Sequence, residues 1–450
     1  MNNKFVFLLI WPLLILMVFC SCKNGTVKTV RNVGLAVKLT NEQLLDSIQY
    51  RTFQYFWDGA EPVSGMARER FHVDGVYPEN DKNVVTSGGS GFGVMAILVG
   101  IERGFITREA GIKRLSKIAG FLEKADRFHG AWPHWMFGET GKVKPFGGKD
   151  DGGDIVETAY LVQGLICVKN YMKPDVPQEK ALAEKLDLLC RGVEWNWYQN
   201  GKPALYWHWS PTHNWEMNFA IEGYNECLIA YVLGASSPTF PLSPEAYHKC
   251  WARSGVINGE TSKYGYILKL KHNGAPEFGG PLFWSHYSFL GLDPRNLKDQ
   301  YANYRDETRN HVLIDYEYCV ENPKGFKGYG PDCWGLTASY SVNGYDAHMP
   351  SNDLGVISPT AALSSFPYSP EESMRAARYF YEKLDGILWG KYGFYDAFSE
   401  TENWFPKQYL AIDQGPIVVM IENYRSQLFW KLFMKDPDVQ NGLTKLGFTF

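Results

Sequence analysis

From Phe146 to Tyr160 the chain reads Phe-Gly-Gly-Lys-Asp-Asp-Gly-Gly-Asp-Ile-Val-Glu-Thr-Ala-Tyr, four carboxylates and four glycines in fifteen residues, and then runs into an apolar helical pattern. Asp150 and Asp154 are four apart, so a helix beginning near Asp150 would set both on one face at its N-terminus. Glycines let backbone approach a ligand with no side chain in the way. Acids beside a ligand-sized gap are what acid/base hydrolysis of a sugar requires. A glycine-rich turn with Asp151 or Asp154 capping the next helix accounts for the same residues structurally, and spacing alone does not separate the two readings.

Five other stretches carry acids, histidines or tryptophans. His129-Gly-Ala-Trp132-Pro-His134-Trp135 leads into the acidic segment. Trp207-His208-Trp209 is followed by Asn214-Trp215-Glu-Met-Asn218 and by Glu222 and Glu226, again four apart. On a helix these two glutamates would share a face, and an inward-facing carboxylate in an apolar helix must be paired or functional, because isolated burial is costly. Trp284 and His286 lie in a third stretch, and Trp334, Asp346 and His348 in a fourth. The last candidates are Trp404 and Asp413, the acid reading equally as a helix cap and as a pocket group. Histidines in Trp-flanked polar loops suit sugar hydroxyls better than metal. No HExxH or EF-hand spacing occurs, so neither metal nor cofactor is expected.

Elements of 3.6-residue period must carry these groups. Apolar stripes predict helices over about 41–58, 89–103, 107–127, 153–172, 178–198, 218–234, 297–321, 370–388 and 414–434. Shorter candidates lie near 244–253, 282–290 and 357–364. Thr40-Asn-Glu-Gln43 and Ser369-Pro-Glu-Glu372 resemble capping boxes, and Thr107 starts another helix. Strand-like runs are few, Tyr266–Leu270 being one. Tight connections alternate with the long ones 128–152, 199–217 and 323–356, which hold the chemistry. About twelve helices with such loops on one side predict an all-α fold, an (α/α)6 barrel or toroid of six helical hairpins.

Composition narrows the function. Aromatic residues make up 15% of the chain, with 15 tryptophans, and flat rings stack on the apolar faces of sugars. The net charge of −4, without a basic block, excludes a typical nucleic-acid binder. Met1–Lys4, the apolar run from Phe5 to Phe19 and Ser21-Cys22 read as a lipoprotein signal peptide over 1–21, with Cys22 lipidated. A tether over 22–39 and one domain over 40–450 follow. The expected setting is periplasmic or cell-surface, anchored in the outer membrane by lipid, the protein acting as a monomer. Six cysteines remain beyond the signal, and a pair such as Cys250–Cys333 suits an oxidising compartment, although spacing assigns no pairing.

Gly147–Tyr160, Trp215–Gly234, Gly280–Gly291, Tyr329–Pro350 and the Asp413-Gln-Gly-Pro to Met420-Ile-Glu-Asn-Tyr-Arg425 block, in that order, resemble the glycoamylase-like domain of Bacteroidota lipoproteins. That domain is similar to glycoside hydrolase family 144, the endo-β-1,2-glucanases. The resemblance implies an (α/α)6 barrel and inverting hydrolysis of β-1,2-glucan. It makes Asp150, Asp154 and a glutamate of Glu222–Glu226 the candidate catalytic acids, with Asp413 a further pocket acid. Trp132, His134, Trp135, Trp207, His208, Trp209, Trp215, Trp284, His286, Trp334, Asp346, His348 and Trp404 are the candidate substrate contacts. Inversion needs two carboxyls roughly 6.5–9.5 Å apart, and Asp154→Asn is expected to remove hydrolysis while leaving glucan binding. A non-catalytic glycan-binding lipoprotein, a polysaccharide lyase, and an exo-acting, glucoamylase-like or transglycosylating relative remain as rivals.

Overall fold

Half-buried helices alternate along the chain with segments buried nearly all round, and the connections into several of the buried segments carry candidate site residues. The computed structural model describes residues 38–77 and 81–450. The signal peptide over 1–21, Cys22 and nearly all of the 22–39 tether lie outside the described residues.

Half-buried helices are α1 (Asn41–Trp57), α3 (Arg108–Leu122), α5 (Pro177–Arg191), α7 (Pro244–Ala246, continued by a π turn over Tyr247–Trp251), α8 (Tyr304–Glu321) and α10 (Pro370–Arg378, continued by Tyr379–Lys383). Each is followed in the chain by a segment that is buried nearly all round. These are α2 (Ser87–Glu102), α4 (Ile155–Tyr171), α6 (Leu228–Ser236), the 3-10 turns Leu282–Ser285 and Ser288–Leu290, α9 (Pro359–Leu363) and α11 (Ala411–Ser426). Helices apolar on every side must be enclosed, whereas amphipathic ones face solvent on their polar side. The result is an inner ring sheathed by an outer one, the expected (α/α)6 barrel; α12 (Leu428–Met434) and α13 (Pro437–Lys445) complete the chain. Leu39–Phe450 forms one compact unit.

Close approach in the inner ring depends on glycine. A Cβ on Gly91 would lie 2.2 Å from the Tyr160 carbonyl oxygen, and one on Gly164 would lie 2.2 Å from the carbonyl oxygen of Gly91. Thus α2 and α4 meet backbone to backbone.

Several expectations shift. The capping box at Thr40 and Gln43 forms, and Thr107 caps α3. Ser369 makes no side-chain cap; its hydroxyl turns toward Ser365 and Ser373 instead. The helix expected over 218–234 begins at Leu228. Upstream, Asn218 and Gly223 have left-handed φ values of 45° and 77°, and the backbone pairs with other segments, Trp207 N–H donating to Phe219 O and Ile221 N–H to Leu205 O. The stripe over 414–434 is two helices, broken where Gln427 is left-handed. Tyr266–Leu270 is a strand, paired with Asn258–Lys263.

Short antiparallel pairs sit directly before the inner helices. Val84–Thr86 joins Trp135–Phe137 ahead of α2, Gly153–Asp154 joins His208–Trp209 ahead of α4, and Gln408–Leu410 joins Arg70–His72 ahead of α11. They fix side chains over the mouth of the inner ring. All six cysteines from Cys167 to Cys333 are unpaired thiols, so the Cys250–Cys333 bridge does not form.

Candidate active site

At the N-terminal ends of α2, α4 and α11 the loops enclose a cavity of about 290 Å³. Three carboxylates line it, Glu69, Glu157 and Glu226, together with Arg70 and His134. Its remaining wall is largely aromatic: Trp135, Phe146, Tyr160, Trp207, Phe283, Tyr287, Tyr340 and Tyr345. An aromatic wall with a few convergent polar groups is the usual make-up of a small-molecule site.

Asp154 organises one side. It is fully buried, and its extended backbone places it as the N-cap of α4, where Oδ1 accepts from the N–H of Val156 and of Glu157, both at 2.9 Å. Its Oδ2 accepts from His134 Nδ1 and from Trp207 Nε1, both at 3.0 Å. Four donors occupy one carboxylate, which therefore holds two cavity residues in place rather than facing the cavity. His134 also stacks on Phe146 at 4.0 Å between ring centres. Burial by itself would lower the His134 pKa, but the charges of Glu157 and Asp154, with the Asp154 hydrogen bond, outweigh it and raise it to about 10.

Glu157 lies in the first turn of α4. Its Oε2 accepts from Gly88 N–H at 2.7 Å and from Thr86 Oγ1 at 3.2 Å, so the carboxylate sits at the N-terminus of α2. Burial pushes its carboxyl up to about 7; the His134 cation and the Gly88 N–H resist that rise, and Asp154 adds to it. Glu226 precedes α6, and its carbonyl accepts from Ser288 Oγ while its side chain lines the cavity. Burial also raises Glu226 to about 7; its own N–H and Cys227 oppose the rise, and the negative charges of Glu157 and Asp154 add to it.

The structure brings His134, Trp135, Trp207 and Glu226 into the cavity wall, with Asp154 behind them. Asp150 is buried in a turn closed by its N–H to Gly147 O, and its Oδ1 is 2.9 Å from Nε2 of the buried His208. Asp150 and Asp154 share no helical face, since α4 starts only at Ile155. They are neighbours all the same: ligand atoms of His134, Asp150 and Asp154 lie within 4.8 Å of one another. With Nδ1 donating to Asp154, a protonated His134 offers no lone pair there.

Other candidates sit elsewhere. Glu222 is exposed, with Arg253 Nε at 3.4 Å, and shares no helix face with Glu226 because 218–227 is not helical. Trp132 and Trp334 are core residues whose indole N–H groups donate to Leu122 O and Glu372 O. His286 bonds Ser365 Oγ at 3.0 Å between inner-ring segments, and burial lowers its pKa to about 3. His348 is buried, Asp346 is exposed on a hairpin, and Trp284 and Trp404 are half-buried outside the cavity lining. Asp413 is buried beside Asp396, which together with burial raises its pKa well above the usual range; it too is outside the lining. Trp209 and Trp215 pack with Trp197 in a separate aromatic group.

Glu157 was visible as the fourth acid of the Gly-rich segment, but three residues after Asp154 it looks like part of a helix cap. Glu69, Arg70, Phe146, Tyr160, Phe283, Tyr287, Tyr340 and Tyr345 gave little warning, because their positions depend on strand pairing and ring closure.

Comparison with known proteins places this architecture. Residues 218–437 match a family model named Glycoamylase and described as "Putative glucoamylase". An endo-β-1,2-glucanase from Chitinophaga pinensis, solved with sophorotriose and glucose, is 66% identical, covers 92% of this chain and 99% of its own, and superposes with a TM-score of 0.91. A β-1,2-glucanase structure from Parabacteroides distasonis is 45% identical over 91% of this chain and 60% of its own, with a TM-score of 0.86. An exo β-1,2-glucooligosaccharide sophorohydrolase (non-reducing end) from Parabacteroides distasonis is 47% identical over 431 residues. The match takes in 91% of this chain but only 58% of that curated relative's length.

Proposed function

This chain belongs to the glycoamylase-like family of Bacteroidota related to glycoside hydrolase family 144, and from that membership we propose that it is itself an inverting glycoside hydrolase cleaving β-1,2-glucan. One observation carries the mechanism: two carboxyls line the cavity, Glu157 and Glu226, and burial raises both to about 7, so that near neutrality one can hold a proton while the other is ionised. Glu157 faces the His134 cation and the Gly88 N–H, both of which favour its anion. Glu226 has anions for neighbours, which favour its protonated form. The cation and the N–H donor beside Glu157 suit it to the base, and Glu226 is left as the acid.

Glu226 is the proton donor to the glycosidic oxygen. As the bond from that oxygen to the anomeric carbon breaks, a water attacks the carbon from the opposite face, and Glu157 takes the proton the water loses. Asp154 is a positioning residue that holds His134 and Trp207, and Asp150 supports the same turn through His208. The aromatic wall stacks on the glucosyl faces.

Endo action is supported by the higher identity and nearly complete coverage of the Chitinophaga pinensis endo-glucanase. The likeness to the exo-acting sophorohydrolase makes disaccharide release from the non-reducing end the second reading. The test is a product profile on linear β-1,2-glucan, with starch and laminarin as controls and NMR of the first-formed anomer. A ladder of oligosaccharides with the α-anomer first is expected. Sophorose alone would replace endo by exo action, the β-anomer would exclude inversion, and no new reducing ends would leave a glycan-binding protein. The anchor at Cys22 and a periplasmic or surface setting belong to the same proposal; Cys22→Ser should abolish labelling by a palmitate analogue.

A further inference from the structure

A second cavity, of about 320 Å³, is lined by Glu194, Asn196, Trp197, Asn200, Gly201, Trp215 and Phe240. We propose that it is an accessory binding site for a neutral β-linked glucan chain, holding the substrate polymer outside the catalytic cavity; this rests on the glucan-hydrolase reading above.

The Trp197 ring is a prepared platform. His129 stacks on it at 3.6 Å between ring centres and 12° between planes. Yet Trp197 remains 38% exposed. The support is held in a strained backbone: His129 has φ 48°, and a Cβ on the next residue, Gly130, would lie 1.9 Å from Gly192 O. Glu194 completes the support, with its Oε2 3.0 Å from His129 Nδ1. Trp215 stands 6.3 Å from Trp197, tilted by 33°.

The polar groups suit sugar hydroxyls. Among the described residues, the side-chain amides of Asn196 and Asn200 make no hydrogen bond, and Asn200 is left-handed, with φ 49°. The lining has one charged residue, Glu194, and no cation, which disfavours an anionic ligand. Free amides beside indole faces match the alternating hydroxyl and apolar faces of a pyranose.

One loop joins the two cavities. It begins after the strand His208–Trp209, whose Trp209 buttresses His129 and Trp197. It carries Trp215 to the accessory site and ends at Phe219, 54% exposed and packed on the cavity residue Trp207 at 5.5 Å. An aromatic path thus leads from the catalytic wall toward the platform.

The experiment compares kcat/KM on linear β-1,2-glucan with kcat/KM on a β-1,2-linked trisaccharide, for the wild type, Trp197→Ala and Asn200→Ala. The expected result is a polymer-to-trisaccharide ratio lower by about five-fold or more in Trp197→Ala, and lower by a smaller factor in Asn200→Ala. Affinity electrophoresis on gels containing the polymer should show Glu226→Gln retarded and Glu226→Gln/Trp197→Ala less so. Thermal melting checks that both variants fold, and the half-buried Asn200 keeps the test open if Trp197→Ala does not. Unchanged ratios and unchanged retardation in folded variants overturn the accessory site. A wild type that cleaves neither substrate overturns the hydrolase reading instead, and the gel arm then still reports on the platform.

Discussion

Burial holds the protons of both Glu226 and Glu157 near neutrality, and the pH profile should show it. Glu226, raised to about 7, is the protonated acid below that pH, so activity is lost as pH rises through about 7. Glu157, also raised to about 7, is the required anion above that pH, so activity is lost as pH falls through the same region. A narrow bell in kcat/KM centred near neutrality is expected. Removing the cation that faces Glu157, by His134→Asn, should move the acidic limb to higher pH with little displacement of the alkaline limb. A shift of both limbs together would refute the division of roles. Glu226→Gln should lower kcat by about 10²–10⁴-fold with binding retained, read by turnover and by calorimetry on β-1,2-glucan.

Among the elements, α4 does the most positioning, and its first turn shows why capping and catalysis share residues. Asp154 terminates the helix with one oxygen and holds two cavity residues with the other. Asp154→Ala should destabilise the fold by about 3 kcal/mol, a lost cap plus two donors left unsatisfied, measured by urea titration. Asp154→Asn can keep the cap but turns an amide toward two N–H donors. It should fold, bind glucan and hydrolyse it about 10²-fold more slowly or worse; near-wild-type turnover would sink its positioning role. The seam between α2 and α4 is equally exacting. Gly91→Ala should cost about 1–3 kcal/mol, because the added methyl meets the Tyr160 carbonyl.

On the scale of the molecule, the ring is closed by groups from its two ends. Arg103, just after α2, makes a bidentate pair with Glu422 of α11, Nε to Oε2 at 2.8 Å and Nη2 to Oε1 at 2.9 Å. Gln49 of α1 and Ser426 complete the shell around Glu422. Burial by itself would raise the Glu422 pKa, but the Arg103 and Ser426 hydrogen bonds bring it below the usual carboxylate value. A depressed pKa contributes stability that is present above the unfolded value and lost as pH falls through the folded one. This closure should therefore hold at neutral pH and weaken below about pH 4. Glu422→Gln should cost about 3 kcal/mol at pH 7 and flatten the acid-side loss, as followed by melting temperature against pH.

The sequence by itself determined the all-α class and the alternation of tight and chemistry-rich connections. Both follow from local periodicity and from turn residues, which act within a few positions of one another. It also singled out the 146–160 segment and, through family resemblance, the β-glucan class of relative. Only the tertiary structure decided which acids meet. Glu222 and Glu226 look alike in sequence, yet Asn218 and Gly223 turn the backbone out of helix and leave only Glu226 in the cavity. Asp154 and Glu157 exchange standing for a similar reason, because four donors converge on the first while the second reaches the N-terminus of a neighbouring helix. The indole rings behave likewise: whether a tryptophan stacks on sugar or fills the core depends on which helices enclose it, and for Trp132 and Trp334 the ring of helices left no open face.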